Sequence, residues 1–211
     1  MRLHKLAVCS FAALVLSSPL AVAQASRPKH QVDVPYVPTT EEAVKAMLKL
    51  ADVKNTDIVY DLGCGDGRIV IAAAKEYGAH GVGIDINPER IQEAEENAKK
   101  AGVDRLVRFE ENDLFDADIH QATVVTLFLL ESVNLKLRPK LLENLKPGTR
   151  IVSNTFGMGD WKPERQLIVG DPSEESFSHR LYLWLVPPPK MKSSASFRDS
   201  DVSHIETVAV D

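Results

Sequence analysis

Between Asp57 and Val186 the chain alternates short apolar runs with segments of helical spacing, and this alternation limits the folds open to it. Asp57 to Leu62 reads as a buried strand. Arg68 to Tyr77 carries Ile69, Val70, Ala72 and Ala73 and stops at Gly78, as a helix ending in a glycine does. Gly81 to Ile86 is a second strand. Asn87 and Pro88 then stand as an N-cap and a first-turn proline. Ile91, Ala94 and Ala98 run down one face of that helix until Gly102. Val103 to Glu110 alternates as a third strand. Ala122 to Leu130 is a continuous apolar run, as a central parallel strand requires. Leu137, Leu141 and Leu145 make another helix stripe before Pro147 and Gly148, and Thr149 to Asn154 is a fifth strand. Arg165 to Val169 and His179 to Val186 close the series, joined through Asp171-Pro172-Ser173. Such alternation builds a parallel sheet covered by helices on both faces. The short last link predicts an antiparallel pair. The expected fold is α/β: one domain over residues 39–189, with a doubly wound seven-stranded sheet, mostly parallel, and an antiparallel C-terminal edge hairpin.

The ends of the chain read differently. Arg2 and Lys5 precede an apolar run from Leu6 to Leu16, and Ala21-Val22-Ala23 fits a small-x-small cleavage site. Residues 1–23 are expected to be a signal peptide, making the protein exported, periplasmic or secreted. Retention of the run as an N-terminal membrane anchor is the alternative. The run is short for a membrane span, and no other segment is long and apolar enough. Cleavage would remove Cys9 and leave Cys64 alone, so no internal disulfide is expected. Residues 24–38 form a proline-punctuated arm ending Pro35-Tyr36-Val37-Pro38. Thr39 and Glu42 then stand at capping-box spacing. Val44, Met47, Leu48 and Ala51 follow, which predicts a helix of about 12 residues. Residues 190–211 are serine-rich and charged, as disordered tails are.

Asp61 to Arg68 reads DLGCGDGR, a glycine loop after the first strand. In a doubly wound sheet this loop faces the ligand crevice. A dinucleotide fingerprint would be G-x-G-x-x-G. Here the spacing is G-x-G-x-G, and Arg68 stands where the third fingerprint glycine belongs. Asp61, two residues before Gly63, would repel a pyrophosphate and attract a cation. A ligand with a cationic amine, a nearby sulfonium and a carboxylate for backbone N–H groups suits the loop. S-adenosyl-L-methionine has all three.

The chain resembles the class I S-adenosylmethionine-dependent methyltransferases in three places: Val59-Tyr-Asp-Leu-Gly-Cys-Gly-Asp-Gly67, Gly83-Ile-Asp-Ile-Asn87 and Glu111-Asn-Asp-Leu114. These motifs lie at the ends of three consecutive strands. The arm Pro35-Tyr-Val-Pro-Thr39 is similar to that of a branch containing small bacterial proteins and the mitochondrial-type protein-lysine methyltransferases. The resemblance implies that Asp85 accepts from the ribose hydroxyls, with Ile86 on the adenine face. It implies that Asp113 accepts from the adenine amino group while Leu114 lends a backbone N–H. It places Asp61 toward the amino end of the cofactor, Gly63, Gly65 and Gly67 around it, and Tyr36 near the sulfonium. The alternatives are a solvated strand-end acid at Asp85, a helix cap at Asp113 and a packing staple at Tyr36. Cys64 reads as a small filler of the loop.

Methyl transfer needs alignment and a proton acceptor more than a nucleophile of the enzyme's own. Glu131, the one acid after the fourth strand, is the candidate catalytic residue. A solvated helix-start acid is the alternative. Asn154 and Asp160 are further candidates to meet substrate, and Trp161 to pack. The branch implies a protein lysine as acceptor, with a small molecule as the other class. The Asn/Asp-Pro-Pro-aromatic element of many amino-group methyltransferases is replaced by Thr126-Leu-Phe-Leu-Leu-Glu-Ser132. That replacement and the net charge of −5 over 211 residues argue against nucleic acid. His80, His120 and His179 lack metal-ligand spacing. The protein is expected to be a monomeric enzyme without a metal. A non-catalytic cofactor-binding module on the same fold is the alternative.

Overall fold

The computed structural model describes residues 37–170 and 178–189. The signal peptide, Tyr36 with most of its arm, the 171–177 link and the C-terminal tail lie outside the described residues. The elements are α1 (Glu41–Leu50), β1 (Ile58–Leu62), α2 (Arg68–Tyr77), β2 (His80–Asp85), α3 (Pro88–Ala101), β3 (Val107–Glu111), β4 (Val124–Leu127), α4 (Glu131–Asn144), β5 (Arg150–Asn154), β6 (Arg165–Val169) and β7 (His179–Leu185). They build a 7-stranded sheet in the order β3-β2-β1-β4-β5-β7-β6. The five strands β1 to β5 pair in parallel. β7 runs antiparallel between β5 and β6. Chain order reverses between β1 and β4, so the crevice for a ligand opens there, at the carboxyl ends of the strands.

Several boundaries move for local reasons. The N-cap of α1 is Thr40, not Thr39: Thr40 Oγ1 accepts from Ala43 N at 3.2 Å. The helix has 10 residues rather than about 12. β3 begins at Val107, not Val103, because Leu106 N and Val107 N both donate to Val103 O, at 2.8 and 3.2 Å, and close a turn. Asp57 stands just before β1. Its carboxylate accepts from Lys54 N at 2.7 Å and Thr123 Oγ1 at 2.7 Å and pairs with Arg150. Asn87, Gly78 and Gly102 cap as their residue types predict.

Strand alternation divides the core. Val59 faces α1 and α2, with Met47, Leu48, Val70 and Ala73. Tyr60 and Leu62 face the other way, toward Leu137 and Leu141 of α4. Among the described residues no helix is long and apolar enough to cross a membrane.

One packing feature reaches the glycine loop. A Cβ on Gly83 would lie 2.5 Å from Phe109 Cδ1 and 2.8 Å from Cys64 Sγ, and one on Gly67 would lie 2.7 Å from Phe109 Cε1. The Phe109 ring of β3 therefore fills a notch between β2 and the loop. Gly83→Ala is expected to cost about 1–3 kcal/mol by overpacking. Thermal denaturation checks this; an unchanged melting temperature would mean that the ring turns aside freely.

Candidate functional site

The loop after β1 is tied to β2. Gly63 N and Cys64 N both donate to Ile84 O, at 2.8 and 2.9 Å, and Gly67 N donates to Cys64 O at 2.9 Å. Gly63, Gly65 and Gly67 all hold positive φ, at 84°, 52° and 78°. L residues with a Cβ rarely adopt that conformation, so the three glycines are required by the path of the chain. At Gly67 they are also required by Phe109.

Asp85 ends β2 at the mouth of the crevice. Its Oδ2 accepts from Gly65 N and its Oδ1 from Asn87 N, each at 2.9 Å. One carboxylate thus joins the glycine loop to the start of α3. An ionised carboxylate has lone pairs left after two such bonds. Asn112 N donates to Asp85 O at 3.0 Å, which brings the residues after β3 alongside. Asp113 Oδ1 accepts from Phe115 N at 2.9 Å, and Asp113 O accepts from Asp116 N and Ala117 N. This is a turn at residues 113–117, not the helix start of the alternative reading. Leu114 is half-buried in it, against the α4 side of the core. Ile86 is half-buried at the exit of β2.

Asp61 is buried, at 3% exposure. Thr126, opposite it on β4, donates its hydroxyl to Asp61 Oδ1 at 2.7 Å. Burial pushes the Asp61 carboxyl up to about 7; the Thr126 bond pulls it down, and the neighbouring charges of Asp85 and Asp66 push it up. A buried carboxyl poised near neutrality has a use if a cation arrives beside it. Cys64 is buried in the same loop, and its thiol is raised far above its ordinary range, first by burial and then by Asp61 and Asp85. Its environment keeps it protonated, so it is a filler and not a nucleophile. In protein lacking residues 1–23, iodoacetamide is expected to label Cys64 much more slowly in the folded than in the urea-unfolded state.

Three contributors are not singled out by the glycine spacing or the strand-end acids. Thr126 reads in the sequence only as part of an apolar run. Asp66 and Arg68 form an ion pair at 2.6 Å. Arg68 Nη1 donates to Thr39 O at 2.6 Å, and Asn97 Nδ2 donates to Asp66 O at 3.1 Å. This pair clamps the loop to the entry of α1 and to α3. The D-G-R spelling holds a signal for it, since an acid and a base two residues apart at a helix start can pair. The partner Thr39 is 29 residues away, beyond the reach of local spacing.

At the far side of the crevice stand the residues after β4 and β5. Glu131 is the exposed first residue of α4, where an acid suits the helix dipole. A Cβ on Gly157 would lie 3.7 Å from its Oε1, so the carboxylate faces the loop after β5. Phe128, Phe156 and His179 cluster there, with ring centroids of Phe128 and Phe156 6.4 Å apart. Asn154 is buried beside them. Asp160 points elsewhere, pairing with Arg138 of α4, and Trp161 packs 6.1 Å from Trp184. Among the described residues no group of His, Cys, Asp and Glu has metal-binding geometry.

A glycine loop, a buried acid below it and acids at the ends of β2 and after β3 suit an adenosine bearing a cationic amino-acid tail. The fold and site define an S-adenosylmethionine-dependent methyltransferase, and known proteins agree. The family model described as ANTKMT methyltransferase domain matches residues 61–165. A protein-lysine N-methyltransferase of Saccharolobus islandicus is 49% identical over 154 residues, covering 72% of this chain and 94% of that protein. An adenine nucleotide translocase lysine N-methyltransferase of Mus musculus is 31% identical over 152 residues. That match takes in 72% of this chain and 65% of the mouse protein. A crystal structure described as an RNA methyltransferase from Salinibacter ruber in complex with S-adenosyl-L-homocysteine has 54% identity and a TM-score of 0.67. It covers 72% of this chain and 94% of that one. The chain belongs to the class I S-adenosylmethionine-dependent methyltransferases. It is an enzyme with S-adenosylmethionine as cofactor, which sets aside the non-catalytic alternative.

Proposed function

We propose that the protein methylates the side-chain amine of a lysine in a polypeptide. The observation that carries this is 49% identity across 94% of a protein-lysine N-methyltransferase. The cofactor, when bound, supplies the methyl group as an electrophile on a sulfonium. In this reading Asp85 accepts from the ribose hydroxyls, Asp113 from the adenine amino group, and Leu114 lends its N–H. Ile86 flanks the adenine. Asp61, ionised, faces the cofactor's ammonium across Gly63, Gly65 and Gly67. Tyr36 keeps the role near the sulfonium that the resemblance implies. Only a neutral amine has a lone pair to offer, so the substrate ammonium must first give up a proton. Glu131, whose Oε1 lies beside Gly157 in the loop after β5, takes that proton.

Transfer to RNA is the second reading, favoured by the description of the Salinibacter ruber structure. The net charge of −5 speaks against it, as does Thr126-Leu-Phe-Leu-Leu-Glu-Ser132 in place of an Asn/Asp-Pro-Pro-aromatic element. Incubation with labelled cofactor and a cell lysate decides between them. Label should be released by protease and recovered as methyl-lysine. Label released by ribonuclease would overturn the lysine reading.

We propose separately that residues 1–23 are a signal peptide and that the protein is exported, to the periplasm or outside the cell. The mass of the N-terminus of protein isolated from cells tests it: a chain beginning at Gln24 is expected.

A further inference from the structure

The end of β5 holds an unusual turn. Phe156 N donates to Asn154 O at 2.8 Å, across the single residue Thr155, whose φ is +67°. A bond from i to i+2 around a positive φ is the strained form of γ-turn. A β-branched residue in that region is an outlier. Strain of this kind persists only where the surroundings hold it. Here Thr155 N donates to Arg180 O at 2.7 Å and Ser153 Oγ to Phe156 O at 2.8 Å. Asn134 of α4 donates to Gly157 O at 3.1 Å.

The turn fixes Asn154, which is 0% exposed. Its Oδ1 accepts from Thr155 Oγ1 at 3.0 Å and lies 3.1 Å from His179 Nδ1. His179 Nε2 in turn lies 3.3 Å from Thr40 Oγ1, the hydroxyl that caps α1 by accepting from Ala43 N. With Nδ1 protonated, Thr40 donates its hydroxyl hydrogen to Nε2, and His179 donates from Nδ1 to Asn154 Oδ1. The chain from the α1 cap thereby orients the amide, oxygen toward His179 and nitrogen away. Asn154 Nδ2 is left with no partner at all. Buried donors are almost always paired, and a ligand that brings an acceptor would pair this one.

Position says which ligand. Asp61, Thr126 and Val152 are in register across β1, β4 and β5, and Asn154 lies two residues further along. Strand spacing and rise put the Cα atoms of Asp61 and Asn154 roughly 12 Å apart. The five bonds from an amine nitrogen at Asp61 to the reacting methyl span only about 6 Å. Asn154 therefore stands on the acceptor's side of the methyl. An attacking lysine amine commits its lone pair to the methyl, and its N–H groups are donors. The only acceptors that a lysine residue brings are its backbone carbonyls.

Resting on the lysine reading above, we propose that Asn154 is a specificity-determining residue that donates its amide N–H to a peptide carbonyl of the substrate. Phe128 and Phe156 line the path of the methylene stem, and His179 is the positioning residue that holds the amide in its orientation.

The test uses the full chain, labelled cofactor and two acceptors: Nα-acetyl-lysine N-methylamide, which carries peptide carbonyls, and n-butylamine, which carries none. Asn154→Ala is expected to lower kcat/KM for the first roughly tenfold, through KM, and to leave n-butylamine and S-adenosylhomocysteine affinity unchanged. His179→Phe should follow Asn154→Ala, and His179→Gln, which keeps a donor, should recover part of the loss. In wild-type protein saturated with S-adenosylhomocysteine, the Asn154 side-chain amide resonance should shift with the acetylated probe and not with n-butylamine. That measurement decides the matter if a variant does not fold. Equal losses on both acceptors, no loss on either, or an unmoved resonance would overturn the inference while the lysine reading stands. A wild-type protein that methylates neither acceptor nor any protein would remove both.

Discussion

Asp85→Ala is expected to weaken S-adenosylmethionine binding by at least about 100-fold, read by calorimetry, because two losses coincide there. The carboxylate holds Gly65 N and Asn87 N at 2.9 Å each, so it organises the glycine loop before any ligand arrives. In the proposed site it also offers lone pairs to the ribose. Hydrogen bonds to a charged group contribute about 1.5–3 kcal/mol each. Loss of the two ribose bonds alone reaches the stated factor, and a loosened loop adds to it. Asp85→Asn separates the terms. Its amide keeps one acceptor oxygen and turns the other site into a donor facing a backbone N–H. Asparagine should therefore recover little of the affinity. A full recovery with asparagine would show that the charge at this position is idle.

The path to that site is partly written in local spacing. The glycine loop, Asn87, Gly78 and Gly102 depend on neighbours within a few residues, and each stands where its residue type predicts. Asp85 and Asp113 can be singled out because one ends β2 and the other follows β3 by two residues, on the side of a parallel sheet where the ligand crevice opens. What does not show depends on distant pairing. Thr126 meets Asp61 across 65 residues, and Phe109 fills the notch at Gly83 and Gly67 from a neighbouring strand. Val103 to Leu106 alternates like a strand yet turns, because Gly102 leaves the helix in a left-handed conformation and the chain must change direction before it can pair with β2. The chain order also hides that β7 lies inside β6, next to β5. That insertion brings His179 to the acceptor end of the crevice, beside Asn154.

Asp61 should make both stability and cofactor binding depend on pH near neutrality, in opposite senses. The unfolded carboxyl ionises near its ordinary value of 3.8, the folded one at about 7. Between those values the folded state keeps a proton that the unfolded chain has released. The contribution of Asp61 to stability is thus fully present below about pH 4 and is lost as pH rises through about 7. The full difference corresponds to roughly 4 kcal/mol for a group this buried. Asp61→Asn keeps an oxygen for Thr126 to donate to and removes the charge. It should raise the melting temperature of the cofactor-free protein at pH 8 and give no gain at pH 4. Cofactor binding needs the opposite state. The cationic amine favours the ionised carboxylate, so below about pH 7 binding must expel the proton. Wild-type affinity should then fall toward tenfold per pH unit as the pH drops below 7. Calorimetry in buffers of different ionisation enthalpy should count close to one proton released at pH 6. Asp61→Asn should bind weakly, with no such release. A wild-type affinity that stays flat from pH 5.5 to 8 would mean that Asp61 is already charged in the free protein. A matching melting temperature of wild type and Asp61→Asn at pH 8 would say the same from the stability side. The two measurements would fail together only if the carboxyl had a source of charge stabilisation beyond Thr126.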